Sequence, residues 1–111
     1  MASPAPEIPI GELPGRLAPG MRLAGLDLGA KTIGIALSDP GLRIATPLHT
    51  IRRTKFGADA AALLALCGRE RVGGLILGLP VNMNGTEGPR AQATRAFLRH
   101  LAPLTDLPIV L

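Results

Sequence analysis

The chain has no tryptophan, no tyrosine and only two phenylalanines in 111 residues. It therefore lacks the aromatic platforms on which unpaired bases stack, which disfavours single-stranded nucleic acid as a partner. Its core must be small and aliphatic. Cysteine is almost absent too. Cys67 alone excludes an internal disulfide framework and fits a reducing, cytoplasmic setting. No apolar run approaches the roughly 20 residues of a membrane span, so no membrane association is expected. The first residues carry no basic segment followed by an apolar one, so no secretory signal is expected either. Acids are also scarce. Eight Asp and Glu stand against twelve Lys and Arg, a net charge of +4, which permits a polyanionic partner without specifying one.

What is present reads as one domain behind a leader. Residues 1–20 hold five of the eleven prolines and no surviving period, which predicts a disordered Pro/Gly-rich leader before a domain over 21–111. Leu23, Leu26 and Leu28 suggest a first strand, and Ile33, Ile35 and Leu37 alternate as a second. Gly29 stands between them, where a tight turn would use its access to positive φ. Ile44 to Arg53 predicts a third strand, bent at Pro47 and so near a sheet edge. A helix follows over Ala58 to Glu70, with Leu63, Leu66 and Cys67 on one face. Val72 to Leu77 is almost wholly apolar, as a strand buried on both faces is. A second helix runs from Arg90 to about Leu101 after Gly88-Pro89, and Pro108 to Leu111 starts a last strand. Three meandering strands and then βαβ units predict a mixed α/β sheet with helices against its faces.

One stretch organises the rest: Gly25-Leu26-Asp27-Leu28-Gly29-Ala30-Lys31-Thr32-Ile33-Gly34. It imitates the phosphate loop G-x-x-x-x-G-K-[ST], but Ala30 stands where that loop needs glycine. An acid within the loop would also repel phosphate. A lone aspartate at the end of an apolar strand is costly to bury unless it meets a cation or several donors. Asp27 is therefore the first candidate for chemistry, with a turn-capping role as the plain alternative. His49 and His100 have no partners at ligand spacing, and Cys67 reads as a small buried hydrophobe.

This stretch resembles the start of the YqgF/RuvX family, relatives of RuvC-type Holliday junction resolvases within the ribonuclease-H-like fold. The resemblance grows downstream in Ala45-Thr46-Pro47-Leu48 and Thr50-Ile51-Arg52-Arg53. It is most specific in Gly78-Leu79-Pro80-Val81-Asn82-Met83-Asn84-Gly85-Thr86-Glu87-Gly88-Pro89-Arg90-Ala91. It implies a ribonuclease-H-like mixed sheet whose first and fourth strands are neighbours, their carboxyl ends forming the ligand edge. It also implies a metal-dependent nuclease, acting on pre-rRNA at the 5′ end of 16S rRNA in ribosome biogenesis, or on branched DNA. Asp27 and Glu87 would be the catalytic, metal-binding carboxylates for Mg²⁺ or Mn²⁺, since clustered acids holding such ions serve phosphodiester hydrolysis. Lys31, Arg53, Asn82 and Arg90 would contact substrate. For Glu87, a first-turn acid answering the helix dipole is an equal reading. Asp39 reads better as a turn residue before Pro40-Gly41.

The resemblance further implies that the pattern continues beyond Leu111 with an acid-bearing D-E-R-x-[ST]-T element and a last helix. The domain is thus expected to be incomplete at its C-terminus. Two alternatives follow. A non-catalytic nucleic-acid-binding module would suit the missing acids. A sugar-kinase or actin-like phosphate loop would share D-x-G-x-K, but its nucleotide-binding second half does not fit this length. Leu26, Leu28, Ile76 and Ile109 are expected on the face a final helix would cover, making self-association or a homodimer through that uncovered sheet the expected state.

Overall fold

The computed structural model describes residues 20–39, 45–80 and 82–111. The expected leader, apart from Gly20, lies outside these residues, as do the Pro40-Gly41 turn and the start of the third strand at Ile44. The elements follow in the expected order: β1 (Arg22–Leu28), β2 (Thr32–Ser38), β3 (Ala45–Arg52), α1 (Phe56–Arg69), β4 (Val72–Leu77), α2 (Pro89–Leu101) and β5 (Ile109–Val110). A short 3₁₀ turn, Ala102–Leu104, separates the last two.

The five strands form one sheet in the order β3-β2-β1-β4-β5. The β1, β2 and β3 pairings are antiparallel, and β1-β4 and β4-β5 are parallel. β3 is an edge strand, and its ladder slips between Ile35 and Ala36, where Ile35 faces His49 and Ala36 faces Pro47. Proline has no N–H for a ladder, so it sits at the irregularity of an edge strand, as its position in the sequence requires.

Both helices pack on the same side of the sheet, rather than one on each. Ala24, Leu26, Ile33, Ile35, Leu75 and Ile109 join Leu63, Leu66, Phe97 and Leu101 in a single buried cluster. α1 begins two residues earlier than the sequence pattern indicates. Its N-cap, Lys55, offers no capping side chain. Instead the buried Asp59 carboxylate accepts the Thr54 backbone N–H at 3.0 Å and the Thr54 hydroxyl at 3.3 Å, holding the chain just before the first turn. α2 starts at Pro89 in the first helical position, behind Gly88.

The other face differs from expectation. Leu26 and Leu28 share the parity of Ala24 and point into the helix layer, and Ile109 follows its ladder partner Leu75 there. Of the four residues expected on the uncovered side, only Ile76 lies there, in a small satellite with Leu23 and Val110. Period-two alternation decides this, because the stronger apolar set of each strand goes to the side the helices cover. Apolar surface available for the expected self-association is correspondingly narrow. Most of the open face is paved with small residues.

Candidate functional site

The carboxyl ends of β1 and β4 lie side by side, and the Gly78 N–H donates to the Leu26 carbonyl at 3.1 Å. Asp27 is the next residue along β1, opposite Gly34 in the ladder. Its side chain has the opposite parity to Leu26, so the carboxylate is exposed on the helix-free face. There it lines a groove of about 720 Å³ with Gly25, Gly34, Ala36, Ile76 and Gly78. A Cβ added to Gly34 would meet the Asp27 Cβ at 3.7 Å, an ordinary contact. The backbone therefore does not demand glycine here. A longer side chain would occupy the space beside the carboxylate.

The turn after β1 is closed by the Gly29 N–H on the Thr32 carbonyl at 2.8 Å. Gly29 does not have the positive φ expected of it; among the described residues only Gly20, Gly85 and Arg71 do. Closeness favours glycine instead, since a Cβ would stand 3.1 Å from the Thr32 carbonyl oxygen and push it back by a few tenths of an ångström.

The residues expected to bind substrate separate into two kinds. The Arg53 guanidinium donates to the Gly29 carbonyl at 2.8 Å and lies 5.9 Å over the Phe97 ring. Arg90 donates to the Leu28 carbonyl at 3.0 Å. Both arginines thus hold the exit of β1 from the side of α2. Asn82 is a loop organiser: its N–H meets the Thr86 carbonyl at 2.8 Å, its carbonyl accepts from Gly85, and its side-chain amide donates to the Thr86 hydroxyl. Gly85, at φ +84°, is the residue that lets this turn close. Lys31, by contrast, is exposed and has no side-chain hydrogen bond among the described residues.

Glu87 is engaged elsewhere. Arg95 grips it in a fork, Nε to Oε1 and Nη2 to Oε2, both at 2.8 Å. That hydrogen bonding holds the Glu87 carboxyl below its ordinary value near 4.5. The structure does not gather Glu87 with Asp27 and a third acid. Among the described residues, no group of three or more His, Cys, Asp or Glu could hold a metal ion. Cys67 is buried, which pushes its thiol up to about 11 and leaves it inert at neutral pH. His49 is exposed, and His100 packs edge-on against Phe56 at 5.6 Å.

Comparison with known proteins settles the lineage. The family model described as "RuvX: Holliday junction resolvase" matches residues 21–111. The chain belongs to the RuvX family. A Bradyrhizobium sp. (strain ORS 278) protein named "Putative pre-16S rRNA nuclease" is 60% identical over 106 residues, covering 96% of this chain and 66% of that protein. One of the same name from Rhizobium meliloti (strain 1021) is 60% identical over 100 residues, covering 90% and 61%. The chain therefore spans just under two thirds of the length of these curated relatives. Among solved structures, T. thermophilus RuvC in complex with a Holliday junction substrate aligns with a TM-score of 0.52 at 15% identity, over 76% of this chain and 56% of that one. The likeness establishes the fold, which is the expected α/β, ribonuclease-H-like mixed sheet.

In this RuvX-family chain the Asp27 carboxylate offers the oxygen donors that hard cations take, and His49 lines the same groove. Mg²⁺ keeps several waters and takes one or two carboxylates together with substrate phosphate. The residues present fit one such ion shared between Asp27 and a bound phosphate. They do not fit a closed cage, because both Glu87 oxygens are given to Arg95.

The Glu87–Arg95 fork makes a titration prediction. A carboxyl whose folded-state pKa is depressed adds stability above its unfolded value near 4.5, and that contribution is lost as pH falls through the lower folded value. In Arg95→Ala the Glu87 carboxyl, followed by NMR titration, is expected to return towards 4.5. An unchanged midpoint would show that the fork is not its cause.

In the sequence Arg52, Arg53 and Lys55 form one cationic cluster with the look of phosphate contacts, Arg53 being the preferred member. The fold separates the two arginines: Ile51 is buried in the helix layer, so strand alternation turns Arg52 to the same face as Asp27.

Proposed function

We propose that this chain carries the Asp27-bearing part of a metal-dependent nuclease centre for structured nucleic acid, with 5′-end processing of pre-16S rRNA as its task in the cytoplasm. Resolution of branched DNA is the other substrate consistent with the family. The observation that carries this reading is the exposed Asp27 carboxylate at the joined carboxyl ends of β1 and β4, with the Lys31 ammonium on the turn that follows. Asp27 would hold Mg²⁺ or Mn²⁺, which when bound lowers the pKa of its water and offsets charge on the phosphorus centre. Lys31 neutralises a phosphate oxygen from the side. Arg53 and Arg90 fix the β1 exit so that Asp27 and Lys31 keep their relation. Asn82 keeps the turn over 82–86 folded.

A second reading, a nucleic-acid-binding module without catalysis, is favoured by one observation, the engagement of Glu87 by Arg95. One experiment separates the two. The protein is incubated with a precursor 16S rRNA fragment and with a four-way DNA junction, in Mg²⁺ or Mn²⁺ and then in chelator. Cation-dependent cutting of either substrate is expected. Salt-sensitive binding that needs no cation and gives no cutting would replace the nuclease with the binding module.

A further inference from the structure

Among the described residues Arg22 pairs with Glu70 and Arg95 with Glu87. Neither involves the cations around the β1-β2 turn. A second cavity opens there, of about 460 Å³, lined by Ala30, Lys31, Thr32, Arg52 and Arg53. Three of its five lining residues are cationic and none is acidic. Arg53 enters it already tethered to Gly29 and Phe97, so its charge is held in place. Arg52 and Lys31 are exposed, with no side-chain hydrogen bond among the described residues.

The register relates this cavity to Asp27. Asp27 faces Gly34 across β1-β2, Gly34 faces Thr50 across β2-β3, and Thr32 faces Arg52 one step of the same parity nearer the turn. Asp27, Gly34, Thr32 and Arg52 therefore share the helix-free face. Strand spacing and rise put the Asp27 and Arg52 backbones roughly 12 Å apart. A duplex strand carries one phosphate per roughly 3.4 Å of axis. Gly34 between them has no side chain to obstruct a backbone crossing from one to the other.

We propose that Arg52 forms a phosphate subsite for the nucleic-acid backbone, two to four nucleotides from the phosphate seated at Asp27 and Lys31. The subsite takes a backbone phosphate and reads no base, so it sets register and not sequence. The assignment rests on the nuclease reading for what lies at Asp27, but Arg52 contacts the strand whether or not the strand is cut.

The test is equilibrium binding of a structured precursor-rRNA stem by the full chain across a salt series. Each lost phosphate contact lowers the slope of log K against log salt by about 0.7–0.9, which at 0.1 M salt is a five- to eightfold weakening. Arg52→Gln is expected to show that loss and Arg52→Lys to restore the slope. Arg69→Ala, an exposed cation in the last turn of α1, is expected to leave it alone. A single neutral methylphosphonate moved along the strand should weaken the parent at one position and have no effect there on Arg52→Gln. An unchanged slope in a folded Arg52→Gln, or no binding by the parent, overturns the subsite. Binding with the expected slope change but no cutting leaves the subsite standing and removes the nuclease reading.

Discussion

Asp27→Asn is expected to reduce cation-dependent cleavage by at least about 100-fold, while the thermal melt stays within about 0.5 kcal/mol of the parent. The lower bound comes from comparison. Groups that only orient a metal ligand cost about 10- to 100-fold when removed, so a direct ligand should lie at or beyond the top of that range. The exchange keeps the shape of the side chain and removes its charge. Asp27 is exposed beside Gly34, so the fold has little stake in that charge. Cleavage rate and melting are measured on the same preparation. Retained cleavage would move the cation to another carboxylate and sink the assignment. Lost cleavage with a collapsed melt would show Asp27 to be structural.

The largest expected effect on stability is at the centre of the sheet. Leu75→Ala is expected to cost about 2–5 kcal/mol, the range for truncating a fully enclosed leucine. Leu75 has no exposed surface and pairs with Ala24 on one side and Ile109 on the other. At roughly 4–8 °C per kcal/mol for a domain of this size, the melting point would fall by about 8 °C or more. The neighbouring truncation, Ile76→Ala, serves as the comparison. Ile76 is half-buried and belongs to the satellite with Leu23 and Val110, so its loss should cost clearly less. Equal costs at the two positions would mean that the helix-free face is covered as fully as the other.

Much of this architecture was legible because strands with one covered face write their alternation into the chain. Leu26 and Leu28, Ile33, Ile35 and Leu37, and Leu75 and Leu77 mark one side of the sheet residue by residue. Pro47 announced an irregular edge strand, and Gly88-Pro89 a helix start. α1 began earlier than its pattern because its start depends on Asp59 reaching back to Thr54, a contact made by the folded chain rather than a capping residue in the usual place. The expected patch of Leu26, Leu28 and Ile109 failed for a different reason. It asked which residues are apolar, when parity decides which side they take.

The site was legible in part. The place of Asp27, exposed at the end of a strand, follows from an acid set among Leu26 and Leu28 at opposite parity. The fates of Arg53, Arg90 and Glu87 do not follow from spacing, because each is decided by a partner on another segment: Gly29, Leu28 and Arg95. Nothing in a linear pattern distinguishes an arginine that meets a phosphate from one that meets a carbonyl, since both are the same donor seeking an oxygen.

The strand order has a kinetic consequence. β1 receives β2 across a three-residue turn, and β3 follows by local return, so the meander has little loop entropy to overcome. On its other edge β1 must wait for β4, which arrives only after α1, and Arg90 reaches Leu28 across 62 residues of chain. Contacts of that separation form late. A chain caught between the two stages holds Asp27 on a strand with one flank bare, without Gly78 or the arginine clamps. The proposed site around Asp27 is then assembled in the last steps of folding, and the interval before it is when the middle of the sheet is open to pairing with another molecule.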